Sequence, residues 1–278
     1  MNFAQPNKID EALTLLANDD WSILSGGTDF YPSLGDKQPQ GNILDLSQID
    51  TLNQITQNDE YWLFGALTTW TDVIKADLPP AFDVLKLAAR EVGSMQIQNR
   101  ATVAGNLCNA SPAADGVPPL LCLDALVKLS SVRGERILAL TDFIHGNRKT
   151  ALQDDEMLTQ IIIPKRAALG FSNFIKLGTR KYLVISISMV AARLSWNKNG
   201  VIDGAAIAVG SCSLVAQRLK ALETVLIGQK CSARLTDLVQ IQHLDCLSPI
   251  DDVRASADYR MQASLALVKR VITRVTQS

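Results

Sequence analysis

The hydrophobic spacing changes character several times along the chain. Between residues 8 and 17 the apolar positions Ile9, Ala12, Leu13, Leu15 and Leu16 predict a helix, broken by Asn18-Asp19-Asp20. Short apolar runs at 21–24 and 43–46 read as strands on either side of Gly26-Gly27, so residues 1 to about 52 form a small β-α-β type unit. A strand is expected at 61–66, a short helix at 69–76 stopped before Pro79-Pro80, and a stronger helix at 81–92. In that last segment Phe82, Leu85, Ala88, Ala89 and Val92 share one face.

Residues 125–131 and 136–138 read as a hairpin about Arg133-Gly134, Asp142-Phe143-Ile144 opens a loop, and 158–163 is a strand ending at Pro164. The polar-to-small stretch Lys165-Arg166-Ala167-Ala168 marks the expected boundary. It separates a domain of residues 1–166, with subdomains of about 1–52 and 53–166, from a second of residues 167–278. In the second, residues 183–194 predict a helix and Asn197-Lys198-Asn199-Gly200 a hairpin turn into Val201-Ile202. A strand at 205–209, a helix at 218–227 ended by Gly228 and a long terminal helix at 256–275 complete the pattern.

This order of elements lacks the regular β-α alternation of a doubly wound nucleotide-binding sheet, and the chain contains neither G-x-G-x-x-G nor G-K-[ST]. A dinucleotide would therefore need another fold. With 278 residues, 47% hydrophobic and 20% charged, the chain has the means to bury a sizeable core. A formal net charge of −1 provides no basic field for nucleic acid or anionic lipid. The first residues lack a signal peptide's basic and apolar regions, and no apolar run approaches the ~18 residues of a membrane span. The expectation is a soluble, cytoplasmic protein with no membrane span and no nucleic-acid partner.

Five cysteines, at 108, 122, 212, 231 and 246, form no C-x-x-C pair, and His145 and His243 are the only histidines. That spacing fits no zinc or iron–sulfur site. Cys108 reads as a small packing residue and His145 as a structural loop residue. Asp154-Asp155-Glu156 and Asp251-Asp252 read as solvated turns or helix starts rather than acid/base pairs. Asp142, Arg148 and Arg180 read as packing and loop salt-bridge residues.

Candidate chemistry gathers at two glycine-containing loops. Thr102-Val103-Ala104-Gly105-Asn106 runs on to Asn109-Ala110-Ser111-Pro112 and Asp115, small and nearly uncharged. Leu24-Ser25-Gly26-Gly27-Thr28-Asp29 follows a predicted strand. Backbone amides approach a ligand closely only where side chains are minimal, and a pyrophosphate offers acceptors only. Either loop alone reads equally as an ordinary polar turn. Two of them, both rich in donors and both without lysine, suit a diphosphate gripped from two sides.

The two loops, the Ile43-Leu44-Asp45-Leu46 strand, Asp142-Phe143-Ile144 with Gly146-Asn147-Arg148, Ile161-Ile162-Ile163-Pro164, Phe174-Ile175-Lys176-Leu177-Gly178 and Pro249-Ile250-Asp251-Asp252-Val253-Arg254-Ala255-Ser256-Ala257-Asp258-Tyr259-Arg260 occur in one order along nearly the whole chain. This series resembles the FAD-binding (medium) subunit of the molybdenum hydroxylases, the xanthine dehydrogenase and carbon monoxide dehydrogenase type. The resemblance implies an α+β architecture: a two-subdomain FAD-binding fold of the vanillyl-alcohol oxidase type, followed by a small α+β C-terminal domain.

It also implies that Ser25, Gly26, Gly27, Thr28 and Asp29, with Thr102, Ala104, Gly105 and Asn106, hold the FAD pyrophosphate. Asp115 matches an acidic residue near the adenosine or ribityl part, and Leu158 a position lining the cofactor. Lys176 matches a lysine near the isoalloxazine, where positive charge favours the reduced ring; read without the resemblance it is a solvent-facing lysine on a strand. Ile185, or Tyr182 in a shifted register, matches the residue over the ring, and Val92 a position near the adenine. No catalytic residue and no metal ligand is expected on this chain. The implied partners are a large molybdenum–pterin subunit, a small [2Fe-2S] subunit and a soluble electron acceptor (NAD, oxygen or a quinone). Rival readings are a self-contained FAD-dependent oxidoreductase and a scaffold subunit without flavin.

Overall fold

The computed structural model describes residues 2–181 and 183–277. The chain begins with β1 (Phe3–Ala4), α1 (Ile9–Asn18), β2 (Trp21–Leu24), α2 (Phe30–Leu34) and β3 (Asn42–Asp45). The three strands form a parallel sheet in the order β1-β3-β2. Helix α1 buries Ala12, Leu13 and Leu16, the face that its spacing marks out. The expected β-α-β unit is therefore present, with the first glycine loop leaving the end of β2.

The next segment contains β4 (Ile55–Gln57), β5 (Tyr61–Gly65), α3 (Trp70–Lys75), α4 (Asp83–Glu91), α5 (Met95–Gln98), α6 (Val103–Asn109), α7 (Val117–Cys122), β6 (Leu126–Ser131), β7 (Gly134–Ala139), α8 (Leu140–Phe143), β8 (Ile144–Gly146), β9 (Lys149–Thr150) and β10 (Met157–Pro164). Five of these strands make an antiparallel sheet in the order β4-β5-β10-β6-β7. Beside β6 the register of β10 shifts between Leu158 and Gln160. Such a bulge bends a strand and re-aims its side chains, and here it falls at Leu158.

The second glycine segment departs from its sequence reading. Residues 103–109 form helix α6 instead of an open loop, with Thr102 as its N-cap and its hydroxyl accepting from the Gly105 amide at 3.0 Å. A capping threonine ahead of Val103, Ala104 and Leu107, all buried, outweighs the helix cost of one glycine.

The C-terminal part holds β11 (Phe171–Leu177), β12 (Ser188–Trp196), β13 (Ile202–Gly210), β14 (Gln217–Arg218), α9 (Lys220–Leu226) and α10 (Ala257–Thr276). Its four strands are antiparallel in sequence order. The helix expected over 183–194 is not formed; most of that segment is strand β12. Both faces of this central strand are covered, so its apolar residues run together without the polar alternation that marks a half-exposed strand. Met189 and Ala191 point into the core shared with the first domain, whereas Val190, Ala192 and Leu194 pack in a second core with α9 and α10.

The C-terminal sheet is thus a shared wall between two cores, and ion pairs reinforce it. Asp124 meets Arg218 at 2.9 Å and Arg193 at 3.7 Å, and Arg218 also pairs with the buried Glu223 at 2.5 Å. Arg193 Nε donates to the Cys122 carbonyl at 2.9 Å. Among the described residues no helix is long and apolar enough to cross a membrane.

Candidate functional site

A cleft of about 670 Å³ opens where the first glycine loop meets the start of α6. That volume lies within the roughly 300–1,000 Å³ typical of cofactor and small-molecule sites. Its walls come from residues 20–30, from 97–109 and from 152–158, with Val92 and Trp70 between them. Ser25, Gly26, Gly27, Thr28, Asp29, Thr102, Ala104, Gly105, Asn106 and Leu158 all line it. Ten of the residues singled out from the sequence are therefore brought together.

The two loops touch. Ser25 Oγ and Thr102 Oγ1 share a hydrogen bond at 3.3 Å although they stand 77 residues apart. A Cβ added at Gly26 would lie 2.0 Å from the Arg100 carbonyl oxygen, so only glycine permits the approach. Gly27 takes φ +72, a left-handed turn that sends the chain into α2. Gly105 is different: its backbone is helical, and a Cβ there would meet Thr102 Oγ1 at 2.7 Å and Ser25 Oγ at 3.4 Å. It is needed for space and not for a positive φ.

The donors around this seam fit an acceptor-rich ligand. Among the described residues no main-chain acceptor takes the amides of Gly26, Gly27, Thr28, Asp29 or Ala104. Asn106 Oδ1 accepts from the Gly116 amide at 3.2 Å, which orients the side chain and leaves Nδ2 as a donor. Trp21 and Trp70 also line the cleft, and their indole nitrogens are shut off from it without a partner among the described residues. A buried donor without an acceptor is uncommon in a folded protein. Amides and an amide side chain lining one cavity match a pyrophosphate flanked by ribose and base groups. The residues present therefore fit FAD.

Asp115, Lys176 and Ile185 lie outside the lining of that cleft. Lys176 Nζ is 2.7 Å from Asp115 Oδ2, with the two side chains only 6% and 11% exposed. Ser186 Oγ donates to Asp115 Oδ1 at 3.1 Å, and Lys176 also donates to the Glu91 carbonyl at 3.4 Å. Burial, the largest influence, pushes the Asp115 carboxyl above its ordinary value, while Lys176 and the two hydrogen bonds draw it down. Lys176 is accordingly not a solvent-facing lysine. The pair adjoins the cleft through the chain itself, since Glu91 precedes Val92 and Asp115 precedes the Gly116 that binds Asn106. Ile185 is 62% exposed, and Tyr182 lies outside the described residues.

Of the acidic runs read as solvated turns or helix starts, Asp251 does stand at a helix start, accepting from the Ala257 amide at the beginning of α10, while its neighbour Asp252 and the 155–156 acids are held in ion pairs. Glu156 is buried and pairs with Arg136 at 2.7 Å, while Asp155 pairs with Arg133 at 2.7 Å. Together they tie the β6–β7 hairpin to the 152–158 wall of the cleft. Asp252 pairs with Arg254 and Arg260. Arg148 and Arg180 make main-chain contacts instead of salt bridges: the Arg148 amide donates to Ala110, and the Arg180 guanidinium to Leu183. The Asp142 carbonyl is bonded to His145 Nε2 at 3.0 Å.

As cleft residues, Trp21, Trp70, Leu152, Gln153 and Met157 carry no mark in the sequence. Tryptophan in a short strand or first helical turn reads as core, and nothing local marks its N–H as unpaired.

Burial pushes the Cys108 and Cys122 thiols up to about 12, which disfavours the reactive thiolate. In the native chain, iodoacetamide is expected to modify the exposed Cys246 and to spare the buried Cys122. Peptide mapping after a short exposure checks this, and early labelling of Cys122 would show the α7 region to be open.

Two family models match the chain: the FAD binding domain in molybdopterin dehydrogenase over residues 1–166, and the CO dehydrogenase flavoprotein C-terminal domain over residues 173–275. The nicotinate dehydrogenase FAD-subunit of Eubacterium barkeri is 31% identical, the alignment covering 97% of this chain and 94% of that protein. The nicotine 6-hydroxylase medium subunit of Paenarthrobacter nicotinovorans is 29% identical, covering 98% and 96%. Among solved structures, quinoline 2-oxidoreductase from Pseudomonas putida 86 superimposes with a TM-score of 0.87 at 26% identity, over 100% of this chain and 97% of that one. A reconstituted CO dehydrogenase from Oligotropha carboxidovorans reaches a TM-score of 0.90 at 24% identity, over 100% and 98%, and shares the fold.

Proposed function

The chain belongs to the FAD-binding subunits of the molybdenum hydroxylases, and from that premise we propose that it passes electrons from a partner's iron–sulfur clusters to a terminal acceptor, whether NAD, oxygen or a quinone. It is an oxidoreductase subunit whose cofactor is FAD. In this reading substrate is oxidised at a molybdenum–pterin centre on a large partner subunit, a small [2Fe-2S] subunit relays the electrons, and the complex works in the cytoplasm. What supports the partner arrangement is that the relatives, matched along more than nine-tenths of their length, are themselves named as subunits of a dehydrogenase and a hydroxylase.

The observation that carries the reading is the seam between the two glycine loops. The amides of residues 26–29 and of Ala104 and the Asn106 Nδ2 group would hold the pyrophosphate. Thr28 and Thr102 would add hydroxyls, and Thr102 also caps the helix that presents Ala104. Ser25 binds Thr102 and so fixes the separation of the two loops. Leu158, re-aimed by its bulge, and Val92 would give the adenine end apolar contacts. Asp115, Lys176 and Ile185 would serve the ring end, with the lysine's charge already positioned by Asp115. When bound, FAD supplies an acceptor for two electrons that are released singly or as a hydride.

Titration of the purified chain with FAD tests this. One FAD per chain is expected, with quenching of the emission of Trp21 and Trp70 and release of intact FAD on denaturation. A colourless chain that takes up no added FAD, alone or with its partners, would overturn the reading and favour a scaffold without flavin.

A further inference from the structure

The wall of the flavin cleft carries charge of one sign. Asp20, Asp29, Asp154 and Glu156 line it, and among the described residues no lysine, arginine or histidine does. Glu156 is neutralised by Arg136 at 2.7 Å. The other three residues are exposed and come from three separate places: ahead of β2, at the entry to α2, and on the 152–158 wall. Asp20 and Asp29 accept hydrogen bonds only through their main-chain carbonyls, from Asn42 and Ser33. Arg133 takes the side chains on either side of Asp154, those of Gln153 and Asp155, and leaves Asp154 itself without a cation.

A carboxylate without a counter-ion acts on other charges across solvent, over about 10 Å at 0.1 M salt and about 30 Å at 0.01 M. Cleft walls of low dielectric focus that field inward. The diphosphate is thus gripped by dipoles, the loop amides and the Asn106 amide, inside a field that opposes it. A phosphate site built on lysine or arginine behaves in the reverse way, gaining with each added phosphate and loosening with salt. Here the amides offer a fixed attraction, while the repulsion grows with every further charge on the ligand.

We propose that Asp20, Asp29 and Asp154 select the cofactor by charge: they admit the pyrophosphate of FAD and turn away adenine nucleotides that share its adenosine diphosphate half but carry further phosphates. This rests on the flavin reading of the cleft. FAD carries about two negative charges and ATP about four, so the acids oppose ATP about twice as strongly. The effect needs no contact with the cofactor, since charge number and screening set it.

The experiment uses the full chain and a variant carrying Asp20→Asn, Asp29→Asn and Asp154→Asn, which removes charge at nearly constant shape. Each is first freed of flavin. FAD affinity is read by flavin fluorescence, with ATP and ADP-ribose, the latter charged like FAD, as competitors. At about 10 mM sodium chloride the variant is expected to bind ATP about tenfold tighter than the parent, and FAD and ADP-ribose about threefold. At about 500 mM all three gains should fall below about twofold. The parent's own affinity for FAD should rise with salt, which a site built on cations would not show.

Equal gains for ATP and ADP-ribose would mean that the acids act by contact or structure, and would overturn the proposal. So would a variant that excludes ATP as fully as the parent does. If the triple variant does not fold, Asp154→Asn alone decides by the same comparison of ATP with ADP-ribose. Failure of the parent to take up FAD would sink the flavin reading and the selection with it. A parent that takes up FAD without any dependence on these charges would sink the selection alone.

Discussion

Replacing Gly26 by alanine is expected to lower FAD affinity at least about a hundredfold, about 2.8 kcal/mol at 1.4 kcal/mol per tenfold. The methyl would sit 2.0 Å from the Arg100 carbonyl oxygen, a backbone atom that cannot rotate away. The first glycine loop must then withdraw from the start of α6, separating donors that act on one pyrophosphate. Overpacking of this kind costs roughly 1–3 kcal/mol, so the fold should survive with a drop of a few degrees in Tm. Gly146→Ala is the control, since its Cβ would make an ordinary contact with Leu214 at 3.4 Å and Gly146 does not line the cleft. Equilibrium dialysis with FAD, beside far-UV circular dichroism, checks both. Full flavin occupancy in Gly26→Ala would mean that the seam does not bind the diphosphate.

Lys176→Met is expected to produce the largest loss of stability among substitutions at the site, about 3–5 kcal/mol, because it leaves the Asp115 carboxylate buried without its cation. The loss should depend on pH with a defined sign. Burial already raises the Asp115 carboxyl above its unfolded value, and removing Lys176 takes away the largest influence that lowers it. The folded state of the variant then binds more protons than the unfolded state, so its stability falls as pH rises. Urea unfolding at mildly acid and mildly alkaline pH should therefore show the smaller deficit at the acid end. The double variant Asp115→Asn, Lys176→Met should recover much of the loss, since no charge remains buried. A pH-independent deficit would show that the pair is solvated in solution.

The legible part of this molecule is its punctuation. Gly26-Gly27 after a short apolar strand, Thr102 ahead of a small-residue run and Pro164 at the end of β10 each act locally, and local rules find them. The ordered motifs then supplied what no single loop could, and ten of the thirteen site residues taken from them line one cleft. The misreadings arose where the deciding contact is distant in sequence. Strand β12 lacks alternation because α10 covers one face and the first domain the other. Asp155, Glu156 and Asp252 look solvent-bound until Arg133, Arg136 and Arg260 arrive from other elements. Trp21 and Trp70 carry no local mark at all, because an unpaired indole N–H is a property of its surroundings.

The most direct test of the electron-transfer reading is purification of the tagged chain from its native host, followed by metal and flavin analysis and turnover of each fraction. The chain is expected to travel with molybdenum, iron and FAD, the complex to oxidise its substrate with a terminal acceptor, and the separated chain to retain FAD but oxidise nothing unaided. A chain that purifies alone and turns over a substrate with FAD as its sole cofactor would contradict it, and would make the protein a self-contained flavoenzyme.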